Sequence, residues 1–141
     1  MTSTVIRPTT ARLLAAYGVV LLVMGALDGL WLGWLALDFY REQLGALMND
    51  SVRVVPAALY YLGFPAVIVY LALQPSATLS EAVRRSAVLG LAAFGVYDLT
   101  NLATLRGYTV TMTVVDMAWG TFATAAGGAA AYRVVLQRRV A

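Results

Sequence analysis

The chain has 141 residues, of which 61% are apolar and 12% charged, with a formal net charge of +3. A soluble domain carries about twice that share of charge, so the composition excludes an ordinary soluble domain, and so small a positive charge, all of it from arginine, leaves no nucleic-acid footprint. Without Cys or His, thiolate metal sites, disulfide chemistry, histidine-held haem and a Ser-His-Asp triad are excluded, and without Lys so is a Schiff base.

Four apolar runs approach or exceed the roughly 20 residues that cross a bilayer. They lie at residues 13–37, 56–73, 86–105 and 112–136, within a single domain over residues 1–141. Residues 1–10 are polar and read as loose. The first run is too long for a signal-peptide core and lacks a small-x-small cleavage site, so it reads as a span that is retained. Its helix begins near Thr10 or Ala11. Beyond it, Phe39, Tyr40, Leu44, Leu47 and Met48 recur at roughly helical spacing, the pattern of an amphipathic turn in the interface. Asn49-Asp50-Ser51 breaks that turn.

The second span opens near Pro56, and Pro65 inside it predicts a kink. Thr78-x-x-Glu81 reads as a capping box that opens the third span. Arg106-Gly107-Tyr108-Thr109 is a tight turn, and the fourth span returns as the second arm of a hairpin. This last run is rich in Ala, Gly and Thr and is the least apolar. Gly120, Ala123, Gly127 and Ala131 give it a small-residue face. Internal packing is favoured for that face over a dimer interface. The fold expected is all-α, an integral membrane four-helix bundle. Arg7, Arg12, Arg84, Arg85, Arg133, Arg138 and Arg139 fall on the side of the termini, against Arg41, Arg53 and Arg106 on the other. The positive-inside rule then places both termini in the cytoplasm.

Three aspartates, Asp28, Asp98 and Asp116, lie within the apolar runs. Each carboxylate costs about 2.5–3.5 kcal/mol at a helix centre. Asp98 and Asp116 flank Gly107 symmetrically, nine residues to either side, so each lies about 13 Å along its helix from the turn. Asp28 lies nine residues before Leu37, which brings all three carboxylates into one layer of the outward half of the membrane. Each has a hydrogen-bond donor three residues on, where side chains share a helix face: Trp31, Asn101 and Trp119. Tyr97, Thr100 and Thr104 extend a polar ladder beside Asp98. With no basic residue in the spans, either some of the acids carry a proton, or a cation is held, or Arg106 or Arg41 reaches down from the interface. Interhelical hydrogen bonding alone gives about 0.6 kcal/mol per bond in membranes. That is small against the insertion cost, which favours a functional site made of Asp28, Asp98, Asn101, Asp116, Trp31, Trp119 and Tyr97.

The chain resembles a family of small bacterial four-span membrane proteins described as domain of unknown function 2177. The resemblance rests on residues 27–32 (Leu-Asp-Gly-Leu-Trp-Leu), Phe39-Tyr40 with Leu44-Gly45, residues 97–104 (Tyr-Asp-Leu-Thr-Asn-Leu-Ala-Thr) and residues 116–120 (Asp-Met-Ala-Trp-Gly). Tyr108 stands where the family pattern has a Trp. The resemblance implies four spans in the bacterial inner membrane and names no activity. The residues themselves point first to a membrane protein that binds a small ligand or ion, a small proton-coupled transporter being one form. An accessory subunit of a larger membrane complex and an enzyme acting on a lipid or isoprenoid are the alternatives. The partners expected are membrane lipid, the ligand or ion, and a second copy or a larger complex, with no nucleic acid. No single helix carries the paired carboxylates that would favour a metal, so none is assigned, and no cofactor is implied.

Overall fold

A computed structural model of the chain describes residues 8–137, all of whose regular structure is helical. The expectations for residues 1–7, and for Arg7, Arg138 and Arg139, fall outside the described residues. Helix α1 spans Thr10–Leu30 and runs on in wider π-helical turns over Trp31–Leu35. A short α2, Leu37–Leu44, and one 3-10 turn, Gly45–Leu47, follow. Helix α3 covers Val54–Val67 and passes into π turns at Ile68–Leu73. Helix α4 is Leu79–Thr104, and α5 is Val110–Ala131, ending in π turns at Tyr132–Leu136.

Threonines start three of these helices. The hydroxyls of Thr9, Thr78 and Thr109 accept the backbone N–H of Arg12, Glu81 and Met112 respectively, satisfying donors that a helix start leaves unpaired. At Thr78 the predicted capping box is present. Glu81 reaches back to an upstream N–H, that of Ala77 at 3.0 Å, rather than to the cap residue itself. The turn between α4 and α5 needs a left-handed residue, and Gly107 supplies it at φ +82°. Pro65 is buried inside α3, where its ring removes one helical donor. The helix continues through it and changes to π register three residues later.

Three helical stretches are long and apolar enough to cross a membrane: Thr10–Leu35, Val54–Leu73 and Leu79–Thr104. Helix α5 is not among them. Its buried residues include Met112, Thr113, Asp116, Gly120, Ala123, Thr124, Gly127, Gly128 and Ala131, more than on any other helix. A helix enclosed by its neighbours is selected for small residues that allow close approach, at the expense of hydropathy.

That approach is tight. A Cβ added at Gly90 on α4 would lie 2.8 Å from the Gly120 carbonyl oxygen and from Thr124 on α5. One added at Gly120 would enter the ring of Phe94, and one at Gly128 would meet Ser86. Gly127 turns instead to α1, where the added Cβ would be 3.1 Å from Met24. The small-residue face of α5 is thus used inside the chain, as the sequence favours. Two apolar clusters flank this seam. One gathers Val20, Met24, Ile68, Leu73 and Ala131; the other, at the end opposite the termini, gathers Ala36, Tyr40, Tyr108 and Met112. Outward-facing side chains such as Leu22, Leu59, Val96 and Val114 are exposed, as lipid contact requires.

Gly120→Val should therefore lower stability by about 1–3 kcal/mol through overpacking against Phe94. Gly18→Ala, where the added methyl meets open space, should raise it by about 0.5–1 kcal/mol. Thermal unfolding of the two variants in detergent checks both signs.

Candidate functional site

Asp28 lies in the last turns of α1, Asp98 on α4 and Asp116 on α5, and all three are buried, at 4%, 0% and 8% exposure. The depth reading from Gly107 holds for the hairpin pair. Asp98 and Asp116 bring their carboxyl groups within hydrogen-bonding reach of each other. Asp28 stands apart from that pair and feels Asp116 only through space.

Each carboxyl receives a donor, but not the one three residues along its own helix. Trp119 Nε1, from α5, donates to Asp28 Oδ1 on α1 at 2.9 Å. Trp31 Nε1 donates instead to the hydroxyl of Tyr40 at 3.3 Å, and that hydroxyl donates to Asp116 Oδ1. The hydroxyl of Tyr108 donates to Asp98 Oδ1 at 2.6 Å, and Asn101 lies within reach of the same hydroxyl. The exchange has a geometric cause. Trp31 and Trp119 stack with ring centroids 4.4 Å apart and planes 8° from parallel. This stack packs α1 against α5, and each indole N–H then finds its acceptor off its own helix. Tyr61 of α3 lies close to the same carboxyl as Trp119, that of Asp28.

Among the described residues three buried side-chain oxygens are left over, those of Tyr60 and Ser86 and Oδ2 of Asp98, and the last belongs to the pair. Asp98 Oδ2 has no hydrogen-bond partner, although its side chain is wholly buried. The Asp98 side chain neighbours the carboxyl of Asp116. Two ionised carboxylates offer only acceptors to each other, so a hydrogen bond between them needs a proton on one of the two. No arginine compensates the pair. Among the described residues the ion pairs are Arg41–Asp38 at 3.5 Å and Arg85–Glu81 at 2.8 Å, both away from the three aspartates. The expectation that Arg41 or Arg106 reaches down to them is not met. Also among the described residues, no group of three or more Asp or Glu is close enough to hold a metal ion.

Of the residues the sequence singled out, Asp98 and Asp116 meet directly, Asp28 and the two tryptophans join them through the hydrogen bonds above, and Asn101 borders Tyr108. Tyr97 is 59% exposed and stays on the outer face of α4. The ladder beside it satisfies itself: Thr100 donates to the carbonyls of Val96 and Tyr97, and Thr104 to that of Thr100. Sequence reasoning missed Tyr40 and Tyr108. Both read as interface or turn residues; the available signal was a polar-tipped ring close in sequence to a span that holds an unpaired acid. Burial foremost, and then the adjacent Asp116 and Asp98, push both phenols above their usual range. Tyr40 and Tyr108 therefore remain protonated donors.

The chain belongs to a family described as a predicted membrane protein, DUF2177, whose model matches residues 13–133. With its apolar helices, this makes it a multi-pass membrane protein. No curated protein matches the chain, and no solved structure does.

Tyr108→Phe keeps the ring and removes the hydroxyl that donates to Asp98 Oδ1. It should cost about 1–3 kcal/mol, the penalty for a buried group left without its bond. Tyr97→Phe, on the exposed face, should stay within about 0.5 kcal/mol of wild type. Paired thermal denaturation in the same detergent reads the difference.

Proposed function

We propose that this chain is a four-span protein of the bacterial inner membrane, with both termini in the cytoplasm, that binds a small ion or ligand at the Asp98–Asp116 pair and couples it to transport. The observation that carries this reading is Asp98 Oδ2: a wholly buried carboxylate oxygen with no hydrogen-bond partner, opposed by a second acid. Acids inside a membrane span face a costly environment and mark ion and proton pathways. A purely structural pair would be expected to carry an arginine, and none pairs with it among the described residues. Helix α5 completes the fourth crossing, because it returns from the Gly107 turn along the full length of α4. The excess of arginine on the side of the termini supports the orientation. Asp28, held by Trp119, contributes negative charge beside the pair. It is the third member of the site.

The first test compares Asp28→Ala, Asp98→Ala and Asp116→Ala with wild type in thermal unfolding, and then in vesicles loaded with a pH-sensitive dye. Asp98→Ala and Asp116→Ala each leave a buried tyrosine hydroxyl without its acceptor, so each should cost about 1–3 kcal/mol, and each should abolish proton movement driven by an imposed gradient. Wild-type vesicles that move no protons and no candidate solute would overturn the transport reading. Loss of stability with proton movement retained in both variants would make the pair interhelical glue.

A further inference from the structure

The surroundings of the Asp98–Asp116 pair differ on its two sides. Toward the termini, α4 and α5 close on each other. A Cβ at Gly95 would lie 3.2 Å from Met117, Gly120 faces the ring of Phe94, and Gly90 faces the Gly120 backbone. The α5 hydroxyls on that side, Thr121 and Thr124, donate to the carbonyls of Met117 and Gly120, each at 2.7 Å, so they offer nothing to the acids. Toward the other end the neighbours are polar. Tyr40 and Tyr108 touch the two carboxyls, and each is nearly buried, at 7% and 8% exposure. Beyond them Thr109 donates to Gln43 Oε1 at 2.5 Å, which ties the turn to α2.

We propose that the Asp98–Asp116 pair holds one shared proton and exchanges it only with the membrane face that carries α2 and the Gly107 turn, through the hydroxyls of Tyr40 and Tyr108. This rests on the reading of the pair as an ion site and names the ion. The shared proton supplies the donor that Asp98 Oδ2 lacks. Exchange conserves atoms and charge: a proton reaching the Tyr108 oxygen from that face releases the hydroxyl's own hydrogen to Asp98 Oδ1, and the phenol is restored. Tyr40 does the same for Asp116. Neither phenol ionises, since burial and the adjacent carboxyls oppose a tyrosinate. The titratable groups around the pair are Tyr40 from α2, Tyr108 from the turn, Asp28 from α1 and Tyr60 from α3. Of these only Asp28 is another carboxyl; it stands apart from the pair and accepts the Trp119 indole N–H, so Asp28→Asn should leave the infrared band of the shared proton in place.

The test is infrared difference spectroscopy on protein in lipid vesicles, sorted by accessibility of a C-terminal tag, after a pH jump on one side. Wild type should show the carbonyl band of a protonated carboxyl, shifted in heavy water. Asp98→Asn and Asp116→Asn should each remove it; either one, if folded, is sufficient. A jump on the α2 face should change the band promptly, and a jump on the face of the termini should not. Tyr40→Phe and Tyr108→Phe should keep the band and slow its response at least about tenfold, the scale of a lost positioned proton-transfer group. Absence of the band in wild type, a response to the terminal side, or an unchanged rate in both Phe variants would each overturn the proposal. A band that behaves as expected in a protein that moves no protons would instead defeat the transport reading and leave this one standing.

Discussion

The close approach of α4 and α5 is the constraint on which the rest depends. Gly90, Gly120 and Gly128 let the two helices meet almost backbone to backbone, and lipid tails give no hydrophobic drive to do this for them. Once the seam is closed, two aspartates equidistant from the same turn arrive at the same depth and meet. A wider seam would let each carboxyl turn toward water at its own helix end. The glycines therefore account for both the packing and the opposition of the acids, and α5 gives up lipid-compatible side chains to achieve it.

The aromatic stack is the second constraint, and it follows from the first. With α4 against one face of α5, α1 packs on another, with Gly127 against Met24 toward the termini and Trp119 against Trp31 near the other end. The stack orients both indoles. It also brings α2 over the site, because Tyr40 fills the gap between the Trp31 N–H and Asp116. A short helix of mixed polarity in the interface becomes the cover of a buried pair. Its outer side carries the exposed Asp38–Arg41 ion pair, which adds little stability in water; the hold on α2 comes from Tyr40 and from the Gln43–Thr109 bond.

Much of this was legible in the chain before folding was considered. The start of α4 was readable because the Thr78 cap and Glu81 act within four residues. The Gly107 turn was readable because a left-handed position wants glycine. Depth was readable because helical rise is constant, so Asp98 and Asp116 could be placed in one layer by counting. The donors were not readable. Spacing of i and i+3 says which side chains share a face, but an indole that stacks on another helix leaves its own face, and this is what Trp31 and Trp119 do. Tyr40 and Tyr108 lie outside the spans, and their approach to the acids depends on how α2 and the turn fold back. The weak hydropathy of the fourth run was visible too; that it marks the most enclosed helix was not, because enclosure is a property of the neighbours.

On the proposed reading, a pair with hydroxyls on one side and a closed glycine seam on the other takes an ion from one face and does not pass it straight through. Transport would need a second arrangement in which the seam opens toward the termini. The fold offers an element that could absorb such a change: α3 meets Pro65 and then loses α-helical register at Ile68–Leu73, beside the cluster that closes the terminal end. Backbone with wider turns there already departs from the tight α ladder, so repacking that end would disturb fewer regular helical bonds than separating α4 from α5 along their whole length. Loading the pair also changes what holds the seam. With a proton between them, Asp98 and Asp116 hydrogen-bond across α4 and α5; without it, two like charges oppose each other in a low dielectric. On the proposed reading, occupancy of the site and closure of the helices are therefore the same interaction seen from two sides, which is the coupling that transport by so small a chain would need.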